Sequence, residues 1–238
     1  MKHWLRHWLR HWLRRAPQLA DGHAQRLAAW RALPEADTHR AWASSRLVVV
    51  DVETSGLDVA SDSLISIGAV AVRDAAIVPD DSFEVVLRQT APSADANILV
   101  HRIGGTRQRE GIDPREALLQ WLEFARKDPL VAYHAAFDRT MLARALDAEL
   151  GGATAQPWLD VARLAPALCG ERAPRAESLD DWLTALEIRN PARHDALADA
   201  FATAQLLLVV LGAPATARVR SIADLEHTDS AQRWLSRR

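Results

Sequence analysis

Hydrophobic and polar positions divide the chain into stretches of different period. Arg46–Glu53 opens with Leu47-Val48-Val49-Val50, a short apolar run rich in β-branched residues, and predicts a buried strand. Leu64–Val72 predicts a second strand and Phe83–Arg88 a third. Turn-rich links, Gly56-Leu57-Asp58 and Ser61-Asp62-Ser63, join the first two and imply an antiparallel meander. Farther on the period lengthens. Pro114–Arg126 predicts a helix with proline in its first turn. Leu130–Tyr133 predicts a fourth strand, and Phe137–Leu150 a helix closed by Gly151-Gly152. Trp158–Val161 predicts a fifth strand, Ser178–Leu186 a helix, and Asp195–Leu211 the last long helix. A meander followed by alternating helices and strands predicts an α/β fold, a mixed five-stranded sheet flanked by helices.

The pattern also sets the expected organisation: an N-terminal helical extension over 1–45, one domain over 46–212, and a tail over 213–238 that is polar at its end. The extension begins with a repeat, His3-Trp4-Leu5-Arg6, His7-Trp8-Leu9-Arg10 and His11-Trp12-Leu13-Arg14. A four-residue repeat drifts by about 40° per copy on a helix. It therefore gathers Trp and Leu on one broad face and His and Arg on the other. A basic amphipathic helix over residues 1–15 suits an anionic membrane surface or a protein partner that receives the tryptophans. Packing on its own domain is the plain alternative. Ala20–Leu33 predicts a second helix and Pro34–Ser45 a connector.

Composition changes the picture in two respects. The net charge of −2 hides an asymmetry: residues 1–40 hold eight Lys/Arg and three Asp/Glu, a balance of +5, which leaves −7 for the rest. An acidic body argues against strong nonspecific nucleic-acid binding and is compatible with carboxylates held for cations. The single cysteine, Cys169, excludes an internal disulfide and fits a reducing compartment. The aliphatic run Leu206–Leu211 is far too short to span a bilayer, and no apolar signal-peptide core follows the basic start. The expected location is the cytoplasm.

The candidate chemistry begins at Asp51-Val52-Glu53. Strand side chains alternate faces, so Asp51 and Glu53 share one. Two like charges at the end of an apolar strand repel, and burying either is costly. A divalent cation between them makes the pair favourable. Asp138 falls near the apolar stripe Met141, Leu142 and Leu146 of its helix and is expected to point toward the sheet; as a first-turn Asp it also suits a simple cap. Asp199 lies on a helix apolar nearly all round in its second half, which implies cover on both sides; a solvated Asp at the exposed end is the alternative. Pro191 upstream, and Asp195 as N-cap, place His194 in the entering loop. A loop histidine beside carboxylates can act as a general base, although a lone one is commonly a surface residue.

Taken together these residues resemble the DEDDh family of 3′–5′ exonucleases, which includes the proofreading ε subunit of bacterial DNA polymerase III. The family's first motif matches Asp51-Val52-Glu53-Thr54-Ser55-Gly56-Leu57, with Ser55 for its second Thr. The second matches Ala135-Ala136-Phe137-Asp138, and the third His194-Asp195-Ala196-Leu197-Ala198-Asp199-Ala200. The similarity covers roughly residues 45–212. The second motif departs at its start, where Tyr133-His134 stands for the usual His-Asn. The resemblance implies a ribonuclease H-like fold and two divalent cations, Mg²⁺ or Mn²⁺. Asp51 would bridge both, with Glu53 and Asp199 on one and Asp138 near the other. His194 would take the proton from the attacking water. Thr54, Gly56, Leu57 and His134 would meet the 3′ end of a single strand, with DNA favoured over RNA; Phe137 could stack there, with a place in the core as the alternative. An RNA-trimming enzyme and a catalytically silent nucleic-acid-binding or polymerase-associated module are the alternatives.

Overall fold

The computed structural model describes residues 17–152 and 156–235. The tryptophan repeat therefore lies outside the described residues. Helix α1 is Asp21–Arg31. Strands β1 Leu47–Thr54, β2 Leu64–Arg73 and β3 Ala76–Val86 follow. Then come α2 Asp95–His101, α3 Gly105–Arg109, α4 Pro114–Ala125, β4 Leu130–Ala132 and α5 Ala136–Leu150. The chain continues through β5 Trp158–Asp160, α6 Val161–Cys169, α7 Leu179–Ala185, α8 Ala196–Leu211 and α9 Ile222–Leu235.

The sheet order is β3-β2-β1-β4-β5. β1–β2 and β2–β3 are antiparallel, and β1–β4 and β4–β5 are parallel. This is the ribonuclease H-like arrangement, a mixed sheet with helices on both faces. The period of two sorts β1 between two cores. Val48, Val50 and Val52 face a cluster with Trp30 of α1, Trp121 of α4 and Met141 and Leu146 of α5. Leu47 and Val49 face the other, built from α6, α7, α8 and Leu225 of α9. Asp51 and Glu53 continue the second set, so they emerge toward the α8 side.

Local chemistry explains the ends of the helices. Asp113 caps α4 by accepting from the Arg115 amide, with Pro114 at N1. Gly151 closes α5 in the left-handed region, φ 72°. Asp195 caps α8 by accepting from the Ala198 amide at 3.0 Å. Helix α1 is tied to α4: Arg26 pairs with Glu116 and Glu123, and the Lys127 ammonium stands 3.9 Å from the Trp30 ring centroid.

Two features differ from the sequence expectation. Strand β3 starts at Ala76 rather than Phe83, because Asp74 and Ala75 both adopt positive φ (51° and 56°) and make a tight two-residue hairpin. The polar stretch Pro79-Asp80-Asp81 bulges out between Val78 and Ser82, which masks the strand's period. Helices α2, α3, α6 and α9 add to the predicted set. Pro166 hides α6, and α9 buries only one side, through Ile222 and Leu225. Among the described residues, no helix is long and apolar enough to cross a membrane.

Candidate active site

The parallel strands β1 and β4 end on the same side of the sheet, where the meander meets the parallel half. In open α/β sheets, clefts form outside the carboxyl ends of the strands at such a change of direction. A cleft of about 620 Å³ opens here, and Asp51, Glu53, Asp138, His194 and Asp199 all line it. Ligand oxygens of Asp51, Glu53 and Asp199 lie within 4.8 Å of one another. Asp138 stands outside that trio, although its charge bears on Asp51.

Each carboxylate is brought in by a different element. Asp51 and Glu53 ride on β1, with Asp51 paired across to Gly68 of β2. Asp138 projects from the first turn of α5 and is 4% exposed. Asp199 projects from the first turn of α8, also 4% exposed, and is held at both oxygens. Its Oδ2 accepts from the His194 amide at 2.9 Å, and its Oδ1 accepts from the Asn190 side chain and pairs with Arg193 at 2.6 Å. His194 itself has φ 63°, which turns the loop so that its amide caps Asp199 and its exposed imidazole lines the cleft.

Two further left-handed or crowded turns shape the walls. His134 has φ 63°, and its amide donates to Asp160 Oδ1 at 3.0 Å. Asp160 is 2% exposed and pairs with Arg163, which also holds Asp229 of α9 at 2.9 Å. The C-terminal helix thus buttresses the turn before Asp138. In the β1–β2 turn, Thr54 Oγ1 donates to the Gly56 carbonyl at 2.6 Å, and Ser55 Oγ to Asp62 at 2.8 Å. A Cβ at Gly56 would crowd the Asp62 carboxylate and would have to displace it from its bond with Ser55. Leu57 projects beyond it, 86% exposed. Phe137 packs against the core beneath α5 and presents the rest of its ring to the cleft.

Sequence reasoning missed part of the wall. Asn97, Val100 and His101 enter from α2, and Glu177, Ser178 and Leu179 from the start of α7. The Asn97 amide donates to the Ser55 carbonyl and fastens α2 to the β1–β2 turn. Arg193 was missed as well; its signal was a lone basic residue beside a motif histidine.

Burial dominates the electrostatics. Burial, followed by the charges of Asp138, Asp199 and Glu53, pushes the Asp51 carboxyl well above its usual range. Glu53 is pushed up to about 8, by burial first and then by Asp199 and Asp195. Asp138 is pushed up to about 7 by burial, against the opposing pull of its own amide and that of Val52. These oxygens are starved of positive charge. An all-oxygen donor set in that condition fits hard divalent cations.

A pH dependence follows. The folded values lie above the ordinary 4.5 of Glu53 and 3.8 of Asp138. The metal-free fold therefore binds more protons than the unfolded chain, and stability falls as pH rises. This contribution is complete below about pH 4 and lost through pH 7–8, by about 1.4 kcal/mol per pH unit for each carboxyl. We expect the Tm of the metal-free protein to fall by roughly 5 °C or more between pH 5 and pH 9. Saturating Mn²⁺ should flatten the curve. A Tm that is level across this range without metal would show that the carboxylates are not strained.

The comparisons with known proteins agree with this geometry. A family model described as "Exonuclease" (RNase_T) matches residues 48–207. A PolC-type DNA polymerase III of Thermotoga petrophila is 32% identical over 168 residues, covering 69% of this chain and 12% of that protein. A DNA polymerase III subunit epsilon-like protein of Rhodobacter capsulatus is 32% identical over 169 residues, covering 70% of this chain and 24% of its own length. The chain thus spans about an eighth of the first and a quarter of the second. Among solved structures, E. coli exonuclease I in complex with a dT13 oligonucleotide aligns with TM-score 0.64 at 16% identity, over 74% of this chain and 42% of that one. Exonuclease X in complex with 5′ overhanging duplex DNA aligns with TM-score 0.59 at 21% identity, over 76% and 99%. The match across two thirds of the sequence, on a ribonuclease H-like sheet with acidic residues gathered at its strand ends, places this chain in the exonuclease (RNase_T) family.

Proposed function

We propose that the chain is a metal-dependent 3′–5′ exonuclease that shortens single-stranded nucleic acid, DNA in preference to RNA, and releases nucleoside 5′-monophosphates. The observation that carries this reading is the convergence of Asp51, Glu53 and Asp199 within 4.8 Å, with Asp138 and His194 lining the same cleft. Two Mg²⁺ or Mn²⁺ ions, when bound, supply an activated water and a stabilised leaving oxygen. Asp51, Glu53 and Asp199 would hold one ion, and Asp51 with Asp138 the other.

The chain's own groups do the rest. The Thr54–Leu57 turn receives the terminal nucleotide, with Gly56 leaving room for backbone approach and Leu57 offering an apolar edge to a base. His134 and Phe137 also line the cleft. His194 accepts the proton of the attacking water at its imidazole, which requires the unprotonated ring. The DNA-bound structural neighbours and polymerase-associated relatives support DNA as the substrate class.

The direct test is a 5′-labelled single strand, DNA and RNA in parallel, incubated with Mg²⁺ or Mn²⁺. A ladder that shortens stepwise from the 3′ end, faster on DNA, is expected. No product from either strand would overturn the reading. At saturating Mn²⁺, His194→Gln should lose about a hundredfold or more of kcat/KM while still binding the metal. A variant that keeps a tenth or more of the wild-type rate would remove His194 as the base.

A further inference from the structure

We propose that Arg193 is a substrate-positioning residue that exchanges Asp199 for a phosphate group of the bound strand once divalent cations occupy the carboxylates. The inference rests on the exonuclease reading above and deepens it.

Among the described residues lining the cleft, Arg193 alone carries a permanent positive charge. Its guanidinium is a fork between two carboxylates. Nη1 lies 2.6 Å from Asp199 Oδ1, Nε lies 2.5 Å from Asp180 Oδ1, and Nη2 donates to Asp180 Oδ2 at 3.2 Å. The Asp180 arm is the outer anchor, with its side chain 60% exposed at the start of α7. The Asp199 arm reaches into the cleft.

Asp199 does not need Arg193 to be oriented. The His194 amide holds one of its oxygens and the Asn190 side chain the other. What Arg193 supplies is charge. Asp51, Glu53, Asp138 and Asp199 together carry four negative charges when ionised, and Arg193 offsets one. Two divalent cations offset all four, and the attraction that draws Arg193 to Asp199 then disappears. A phosphodiester brings one new negative charge, which Arg193 balances. A guanidinium fork matches two phosphate oxygens, and the pairing is charge-assisted.

Reach is adequate. Nη1 of the guanidinium already lies 2.6 Å from Asp199 Oδ1, so a phosphate oxygen received beside that carboxylate lies within one side-chain swing. Asp180 keeps the stem at the rim during that swing.

Two titrations of the intact protein test this. Mn²⁺ is titrated into the metal-free protein, and thymidine 5′-monophosphate into the Mn²⁺-saturated protein, each followed by calorimetry. Arg193→Gln removes a competitor of the metal, so Mn²⁺ should bind about threefold or more tightly. The same variant loses the phosphate contact, so the nucleotide should bind about tenfold more weakly. Arg193→Lys should recover part of the nucleotide affinity, and thymidine, which has no phosphate, should bind all three proteins alike. A damaged fold or a purely structural ion pair weakens both titrations or moves neither; opposite signs are specific to the exchange. Nucleotide affinity unchanged in Arg193→Gln, or Mn²⁺ bound no more tightly, would overturn the proposal while the exonuclease reading stands. A wild-type protein that binds no Mn²⁺ would overturn both.

Discussion

Replacing Asp51 with Asn is expected to reduce nucleotide release by about a thousandfold or more while raising the Tm of the metal-free protein. The two effects share one cause. Asp51 sits at the floor of the cleft, beside Glu53 and Asp199, with the charge of Asp138 bearing on it. In the proposed site it is the carboxylate that would serve both cations, so its loss would unbalance both. Without cations its charge is a liability, since burial and three neighbouring carboxylates disfavour ionisation. Asn keeps the shape and removes the charge. The gain in Tm should therefore grow as the pH rises, because the buried wild-type carboxyl must then give up its proton. Mn²⁺ should stabilise the wild type and have little effect on the variant. Retention of a tenth or more of the wild-type rate would show that Asp51 is not the shared ligand. A drop in metal-free Tm would show that its charge is satisfied by other means.

Gly68→Ala is expected to damage fold and site together. Gly68 lies opposite Asp51 in the β1–β2 ladder, on the same face of the sheet. Helix α8 descends onto that face at its first turn. A Cβ at position 68 would stand 2.2 Å from the Ala196 carbonyl carbon and from the Leu197 amide nitrogen. These are backbone atoms of the turn that also carries Asp199, and they cannot rotate away. The helix would have to lift, at a cost of about 1–3 kcal/mol for overpacking, and Asp199 would lift with it. We expect a Tm lower by several degrees, weaker Mn²⁺ binding, and a loss of activity out of proportion to the loss of stability. Gly22→Ala is the control. Nothing lies within 4 Å of its Cβ position in α1, and alanine is the better helix former by about 1 kcal/mol. Gly68→Ala with wild-type Tm and wild-type metal affinity would mean that another contact sets the height of α8.

How much was legible depended on the range of the interaction that decides each feature. The strand bearing Asp51 and Glu53 was readable because alternation is a property of neighbouring residues. The caps Asp195 and Gly151 were readable for the same reason. Asp199 was placed correctly on a helix covered on two sides because the apolar run itself demanded cover. Helix α2 was invisible. It is seven residues long, shows its apolar Leu99 and Val100 to solvent, and is fixed by a side-chain bond from Asn97 to Ser55, 42 positions away. Helix α6 was masked by Pro166, which the burial of Val161, Leu164 and Leu168 outweighs.

The sequence by itself therefore determined the sheet and its meander, because short-range periodicity acts within a few positions; it pointed to the acidic set through the resemblance of its motifs to those of the exonucleases. Only the tertiary structure decided that Asp51, Glu53 and Asp199 meet within 4.8 Å while Asp138 stands apart. It also decided that Gly68 sets the approach of α8 and that Arg193 bridges Asp180 and Asp199. Those facts depend on how closely a helix can approach a strand and on which charges are left to balance at the bottom of a cleft. Both are set by packing between segments far apart in the chain, which no local pattern encodes.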